Sequence, residues 1–207
     1  MAAGQRFVFD TSAFTGVVGT KGEIDRAIER LVSLVARAKK AGISCYTPPS
    51  VWAELKGMLE RKNTPASLIN RLDAWLIQKA PSRYELSVPA EFIYEYVGEV
   101  RERFNRGLRE AEKAVLKLHH GQESHEKIIG ELRDKYKTVI RQGLVDSQED
   151  LDVLMLAKEL GAGIVARDEG LLSWARKWGI RFLDAKVFAK LVNEYKGAGN
   201  GKRKARR

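Results

Sequence analysis

Short apolar runs and helical stripes alternate along the chain. Arg6-Phe-Val-Phe-Asp10 sets three apolar residues in a row and ends in an acid, which predicts a buried strand with its carboxylate at the C-terminal end. Over residues 23–41, Ile24, Ala27, Ile28, Leu31, Leu34, Val35 and Ala38 recur three and four apart, predicting an amphipathic helix that Gly42 stops. A second strand is predicted over residues 43–46. Thr47-Pro-Pro-Ser-Val-Trp-Ala-Glu54-Leu then opens a helix, with proline tolerated in the first turn and Thr47 or Ser50 available as its cap. A helix over 67–79 and a third strand over 84–88 follow. Further on, the pattern returns as helix 147–160, strand 163–166, helix 171–178, strand 180–183 and helix 186–195. Short apolar strands separated by helices predict an α/β fold with a central parallel sheet covered on both faces, a three-layer α/β/α arrangement.

The alternation is broken once, from about residue 89 to 143. There Phe92, Tyr96, Val100, Phe104, Leu108, Ala111, Val115 and Leu118 step by threes and fours, as do Ile129, Leu132, Tyr136, Val139 and Leu144. Two such helices joined at His119-His-Gly-Gln122 predict a long antiparallel helical hairpin inserted into the α/β domain. The expected organisation is an α/β body over 6–88 and 144–195, a hairpin over 89–143, and a glycine-rich basic tail over 196–207 that lacks apolar periodicity and is expected to be disordered.

Charge narrows the partners. With 207 residues and a formal net charge of +10, the chain suits a polyanion, and nucleic acid before an acidic membrane. Candidate contacts are Arg101, Arg106, Arg109, Lys113 and Lys117 on the hairpin and Lys202, Arg203 and Lys204 in the tail. A single cysteine, Cys45, leaves no disulfide framework and fits a reducing, cytoplasmic setting; no segment reads as a signal peptide or a membrane span. No GxGxxG or GxxxxGK[ST] loop is present to cradle a nucleotide cofactor.

The chemistry rests on acids. In a parallel sheet, ligands sit beyond the carboxyl ends of the strands where strand order reverses, and Asp10 and Asp168 each follow a predicted strand. Each also suits a turn or a helix cap, and Arg167 is placed to neutralise part of Asp168. Asp146 and Asp150, four apart, share a helix face where bare like charges repel, although Ser147-x-x-Asp150 is equally a capping-box pattern. Asp152 points to another side of that helix and ranks as a reserve ligand. Glu54, early in its helix, reads as a solvated carboxylate or a further ligand. If these acids converge, they offer the hard oxygens that Mg²⁺ or Mn²⁺ prefers, and they suit phosphodiester hydrolysis. His119, His120 and His125 fall at the hairpin tip without the partners of a zinc site. Ser12 and Ser147 have no histidine near the sheet edge to form a hydrolase triad.

Phe7-Val-Phe-Asp10-Thr-Ser, Pro48-Pro-Ser-Val-Trp-Ala-Glu54-Leu, Asp146-Ser-x-x-Asp150-x-Asp152-Val and Ala166-Arg-Asp168-Glu-Gly-Leu resemble the acidic motifs of PIN-domain nucleases. With the helical insert, the combination resembles the minimal protein-only ribonuclease P enzymes of bacteria and archaea, the HARP family, over about residues 6–195. The resemblance implies a PIN-like fold and a metal-dependent, RNA-free endonuclease that removes the 5′ leader of precursor tRNA. It also implies catalytic acids at Asp10, Asp146, Asp150 and Asp168, with Glu54 matching the second PIN acid, and a hairpin that assembles a homo-oligomer and grips tRNA. A PIN-type toxin that cuts mature RNA and a non-catalytic RNA-binding scaffold are the competing functions. Binding alone would not need the four aspartates in one place.

Overall fold

The computed structural model describes residues 4–15, 21–119, 124–141 and 147–204, the last nine of these by backbone alone. Five strands, β1 (Arg6–Phe9), β2 (Ser44–Thr47), β3 (Ile77–Gln78), β4 (Gly163–Val165) and β5 (Phe182–Leu183), form one sheet in the order β3-β2-β1-β4-β5, with all pairings parallel. The helices are α1 (Ser12–Thr15), α2 (Lys21–Lys40), α3 (Pro49–Arg61), α4 (Ala66–Trp75), α5 (Ala90–His119), α6 (His125–Arg141), α7 (Gln148–Leu160), α8 (Glu169–Lys177) and α9 (Ala185–Lys204). This is the expected α/β fold around a parallel sheet.

Alternation along the central strand sorts the two layers. Phe7 and Phe9 point to one face, into a cluster with Ile28, Val32 and Val35 of α2, Leu72 of α4 and Phe188 of α9. Both phenylalanine rings meet Phe188 edge-on at 5.1 Å between centroids. Val8 and Ile164 turn to the other face, where α7 packs on β1 and β4. Trp174 and Trp52 are buried core, while Trp75 and Trp178 are partly covered.

The third strand is not where the alternation of residues 84–88 predicts it. It is the two-residue β3, pairing Tyr46 with Ile77 and Thr47 with Gln78 at the sheet edge. The predicted helix over 67–79 ends early, at Trp75, and Leu76 adopts extended backbone to lead into the strand. Residues 82–86 instead form a turn, with the amides of Glu85 and Leu86 both donating to the Ser82 carbonyl. A two-residue strand has no periodicity to detect, whereas Tyr84-Glu-Leu-Ser-Val88 has periodicity and no neighbouring strand to pair with.

Contacts divide the chain into two compact units, Met1–Leu86 with Ser147–Arg207, and Ser87–Asp146. Within the second unit α5 has 30 residues, about 45 Å of helix at 1.5 Å per residue. Its packing corrects the predicted seam: the residues of α5 that are buried are Arg103, Gly107 and Ala114, while Phe104, Leu108 and Val115 are 59–63% exposed. Gly107 accounts for the difference, because the Tyr136 ring lies 2.6 Å from where its Cβ would stand. Small residues bring α6 close on that side and turn the larger apolar ones outward.

The last helix extends to Lys204, over most of the segment where composition predicts disorder. Gly197, Gly199 and Gly201 each cost about 1 kcal/mol relative to alanine there, so this is the weakest part of α9.

Candidate active site

The sheet order places its switch point between β1 and β4, whose following segments leave for opposite faces. Asp10 sits directly after β1, 5% exposed, with its amide donating to the Val165 carbonyl of β4 at 3.1 Å. Its carboxylate Oδ2 accepts from the Ser12 amide at 2.8 Å. Burial pushes the Asp10 carboxyl above its ordinary value of 3.8; the Ser12 and Thr11 hydrogen bonds oppose this and the nearby Glu54 charge reinforces it.

Glu54 reaches the same edge from α3. Its Oε2 accepts from the Thr11 hydroxyl at 2.6 Å, so the residue after Asp10 holds the second acid in place. The anticipated side-chain cap of this helix is absent: Pro48 is the N-cap, and Thr47 instead donates its hydroxyl to the Phe9 carbonyl at 3.3 Å. The next residue, Ser12, joins the loops after β1 and β4, its hydroxyl oxygen accepting from the Arg167 amide at 2.8 Å and the Asp168 amide at 3.3 Å. Asp168 is exposed and caps α8, with Oδ1 accepting from the Leu171 amide at 2.8 Å. Arg167 does not neutralise it; the guanidinium pairs with Asp184 at 3.1 Å.

On α7 the local pattern is realised as a cap. The Ser147 hydroxyl accepts from the Asp150 amide at 3.0 Å, and Asp150 itself is half-buried in the first turn. Asp152, by contrast, is buried and engaged on both oxygens. The Arg83 fork grips it with Nε and Nη2 on Oδ1 at 3.0 and 2.8 Å and Nη2 on Oδ2 at 2.7 Å, and Ser50 donates its hydroxyl to Oδ2 at 2.7 Å.

The structure therefore brings Asp10 and Glu54 together, sets Asp168 on the adjoining loop, and ties Asp152 into the body. Asp146 lies outside the described residues. Among the described residues, no three Asp, Glu, His or Cys side chains gather as a metal-holding group. Ser50, a candidate helix cap by position, instead holds Asp152, and Arg83 carries no sequence signal, because nothing local links it to an acid 69 positions away. Thr11 and Ser12 carry a legible signal, two hydroxyl residues straight after a buried strand, although their partners are not readable from it.

Of the hairpin cations, Arg106 pairs with Glu102, Lys113 with Glu110 and Lys117 with Glu131, the last at 2.8 Å between α5 and α6. Arg101 and Arg109 are exposed. Among the described residues, no helix is long and apolar enough to cross a membrane.

The profile of the family described as PINc domain ribonuclease matches residues 6–196. A protein of Haloarcula marismortui named RNA-free ribonuclease P is 42% identical, with 94% of this chain and 92% of that protein covered. Proteins of the same name from Methanopyrus kandleri and Archaeoglobus fulgidus are 44% and 42% identical; 92% of this chain is covered in each case, with 94% and 91% of those proteins. The matched span includes both the α/β body and the helical insert, and the chain belongs to the PINc-domain ribonucleases and, within them, with the RNA-free ribonuclease P proteins, as an endonuclease.

Proposed function

We propose that the chain is a metal-dependent endoribonuclease that removes the 5′ leader of precursor tRNA without an RNA subunit. The observation that carries the reading is Asp10, a carboxylate buried at the switch point of the sheet beside Glu54, in a chain that aligns over more than nine-tenths of its length with proteins named RNA-free ribonuclease P. Burial, reinforced by the nearby Glu54 charge, makes the Asp10 carboxylate costly to ionise, and a divalent cation would relieve that cost. Asp10 and Glu54 fit Mg²⁺ or Mn²⁺ by donor type, with Asp146, Asp150 and Asp168 completing the proposed set. A bound ion supplies charge compensation at the scissile phosphate and the acidity that hydrolysis requires.

The chain's own residues hold that set in place. Ser12 fixes the Asp10 loop to the Asp168 loop, and Thr11 fixes Glu54 to Asp10. With both of its oxygens engaged, Asp152 is assigned a positioning role, locking α7 to the first turn of α3 through Ser50. RNA is gripped by the hairpin cations, Arg101 and Arg109 foremost, and by Lys202, Arg203 and Lys204 at the end of α9. The outward stripe of Phe104, Leu108 and Val115 is covered by another subunit of a homo-oligomer, because exposed apolar residues at four- and seven-residue spacing match a helix-to-helix seam.

The test is one incubation of the full chain with a leader-bearing precursor tRNA, with and without Mg²⁺. Release of the leader only with Mg²⁺ supports the reading. RNA binding with no cleavage in either buffer means a scaffold, and cleavage of mature tRNA at the same rate means a toxin-like activity.

A further inference from the structure

We propose that the loop after β3 is a stacking subsite for one unpaired nucleotide of the RNA substrate, with the Tyr84 ring as its platform. The proposal rests on the ribonuclease reading of the catalytic edge and adds a recognition element to it. Because the sheet is parallel, the chain leaves β3 at the same edge as Asp10, the first turn of α3 and Asp168.

The loop is held from several directions. The Lys79 amide donates to the Thr47 carbonyl at 3.1 Å, and the Ser82 amide donates to Glu159 Oε2 at 2.8 Å. Lys79 Nζ pairs with Glu159 Oε1 at 2.9 Å, and the Arg83 fork sits on Asp152. Next to that anchor, Tyr84 is 102% exposed, and among the described residues its ring has no aromatic or cation–π partner. It lies along an open recess of about 450 Å³ lined by residues 80–85. An exposed tyrosine on a wandering loop would carry no message. On an anchored loop the backbone is already ordered, and only the two side-chain torsions of the tyrosine remain to be fixed when a flat partner settles on the ring.

Charge selects the part of the nucleotide that is read. Lys79 and Arg83 are each matched by a carboxylate, Glu159 and Asp152, and Glu85 lines the same recess. The recess therefore presents no excess positive charge to a phosphate. What remains is an aromatic face, which every base can cover whatever its sequence, provided it is not already stacked in a duplex. A single-stranded leader offers such bases and a folded tRNA acceptor stem does not. Contacts of this kind release no counterions, so their contribution is insensitive to salt.

The experiment titrates the full-length protein and its Tyr84→Leu and Tyr84→Trp variants into a short single-stranded RNA carrying 2-aminopurine, at low and at high salt. Tyr84→Leu is expected to weaken binding roughly tenfold and to abolish the quenching that stacking causes, with the salt slope unchanged. Tyr84→Trp should restore both affinity and quenching. Wild-type affinity and quenching in Tyr84→Leu overturn the proposal, as does a loss accompanied by a shallower salt slope. Cleavage of precursor tRNA by the same wild-type preparation is scored separately; its absence sinks the ribonuclease reading, while the subsite stands or falls on the fluorescence.

Discussion

The α/β body and the helical hairpin treat their apolar residues in opposite ways. In the body Phe7, Val8, Phe9, Leu55, Leu156 and Ile164 are fully buried, and two buried acids, Asp10 and Asp152, are held by hydrogen-bond donors. In the hairpin the residues that go inside include Arg103, Gly107, Ala114 and Ile128, while Ile93, Tyr94, Val97, Phe104, Leu108 and Val115 stay more than half exposed. The body closes its own core. The hairpin closes only a narrow seam around Gly107, Ala114 and Ile128, and leaves a second apolar face exposed.

Equivalent insults should therefore act differently in the two regions. Phe188→Ala removes the ring that meets both Phe7 and Phe9, and it should cost about 3–5 kcal/mol in urea unfolding, because the cavity cannot collapse between a sheet and a helix. The double change Leu108→Glu with Val115→Glu should leave the unfolding of the body within about 0.5 kcal/mol of wild type, as surface substitutions do. It should instead convert an oligomer into a monomer by light scattering. A double variant that destabilises the body as Phe188→Ala does would erase the distinction.

A smaller effect is expected at the junction of α3, α7 and the loop after β3. Asp152→Asn keeps the shape but loses the charge gripped by Arg83, and should lower stability by less than Phe188→Ala does, because the half-exposed Arg83 is screened by solvent. It should also slow cleavage while leaving the Mg²⁺ concentration for half-maximal rate unchanged, since its role is to position α7. A large rise in that concentration would return Asp152 to the metal ligands.

The smallest effect is a dependence on pH. Burial raises the Asp10 carboxyl above 3.8, so its contribution to stability is fully present below that pH and is lost as pH rises through the folded-state value. Asparagine does not titrate. In chelator, the stability of Asp10→Asn relative to wild type should therefore increase as pH climbs from 3.8 upward, read from urea midpoints. A difference that shrinks with pH would mean that the fold favours the Asp10 carboxylate.

The body was legible in the sequence where its signal is local. Phe7-Val-Phe-Asp10 announces a buried strand and its terminal acid, and Ser147 with Asp150 announces the start of α7. β3 was not legible, because two edge residues carry no pattern and their neighbours at 84–88 carry a misleading one. The hairpin helices were plain from their stripes, but the stripe does not say which side meets α6. Gly107 and Ala114 decide that by size, and hydrophobic periodicity gives glycine no weight. At the site, the strand-end acids could be read from position alone. Their supports, Ser12 to the β4 loop and Arg83 to Asp152, join residues 155 and 69 positions apart and become visible only in three dimensions.

On this reading Asp10 serves chemistry at a cost in metal-free stability. Wild type and Asp10→Asn are compared in single-turnover cleavage of precursor tRNA across a Mg²⁺ titration, with the thermal midpoint of each recorded at every concentration. Asp10→Asn is expected to fold at least as stably as wild type without Mg²⁺, to gain less from added Mg²⁺, and to cleave about a hundredfold or more slowly even at saturation, the scale on which positioned electrostatic groups act. Near-wild-type cleavage by Asp10→Asn at limiting Mg²⁺ would contradict this reading.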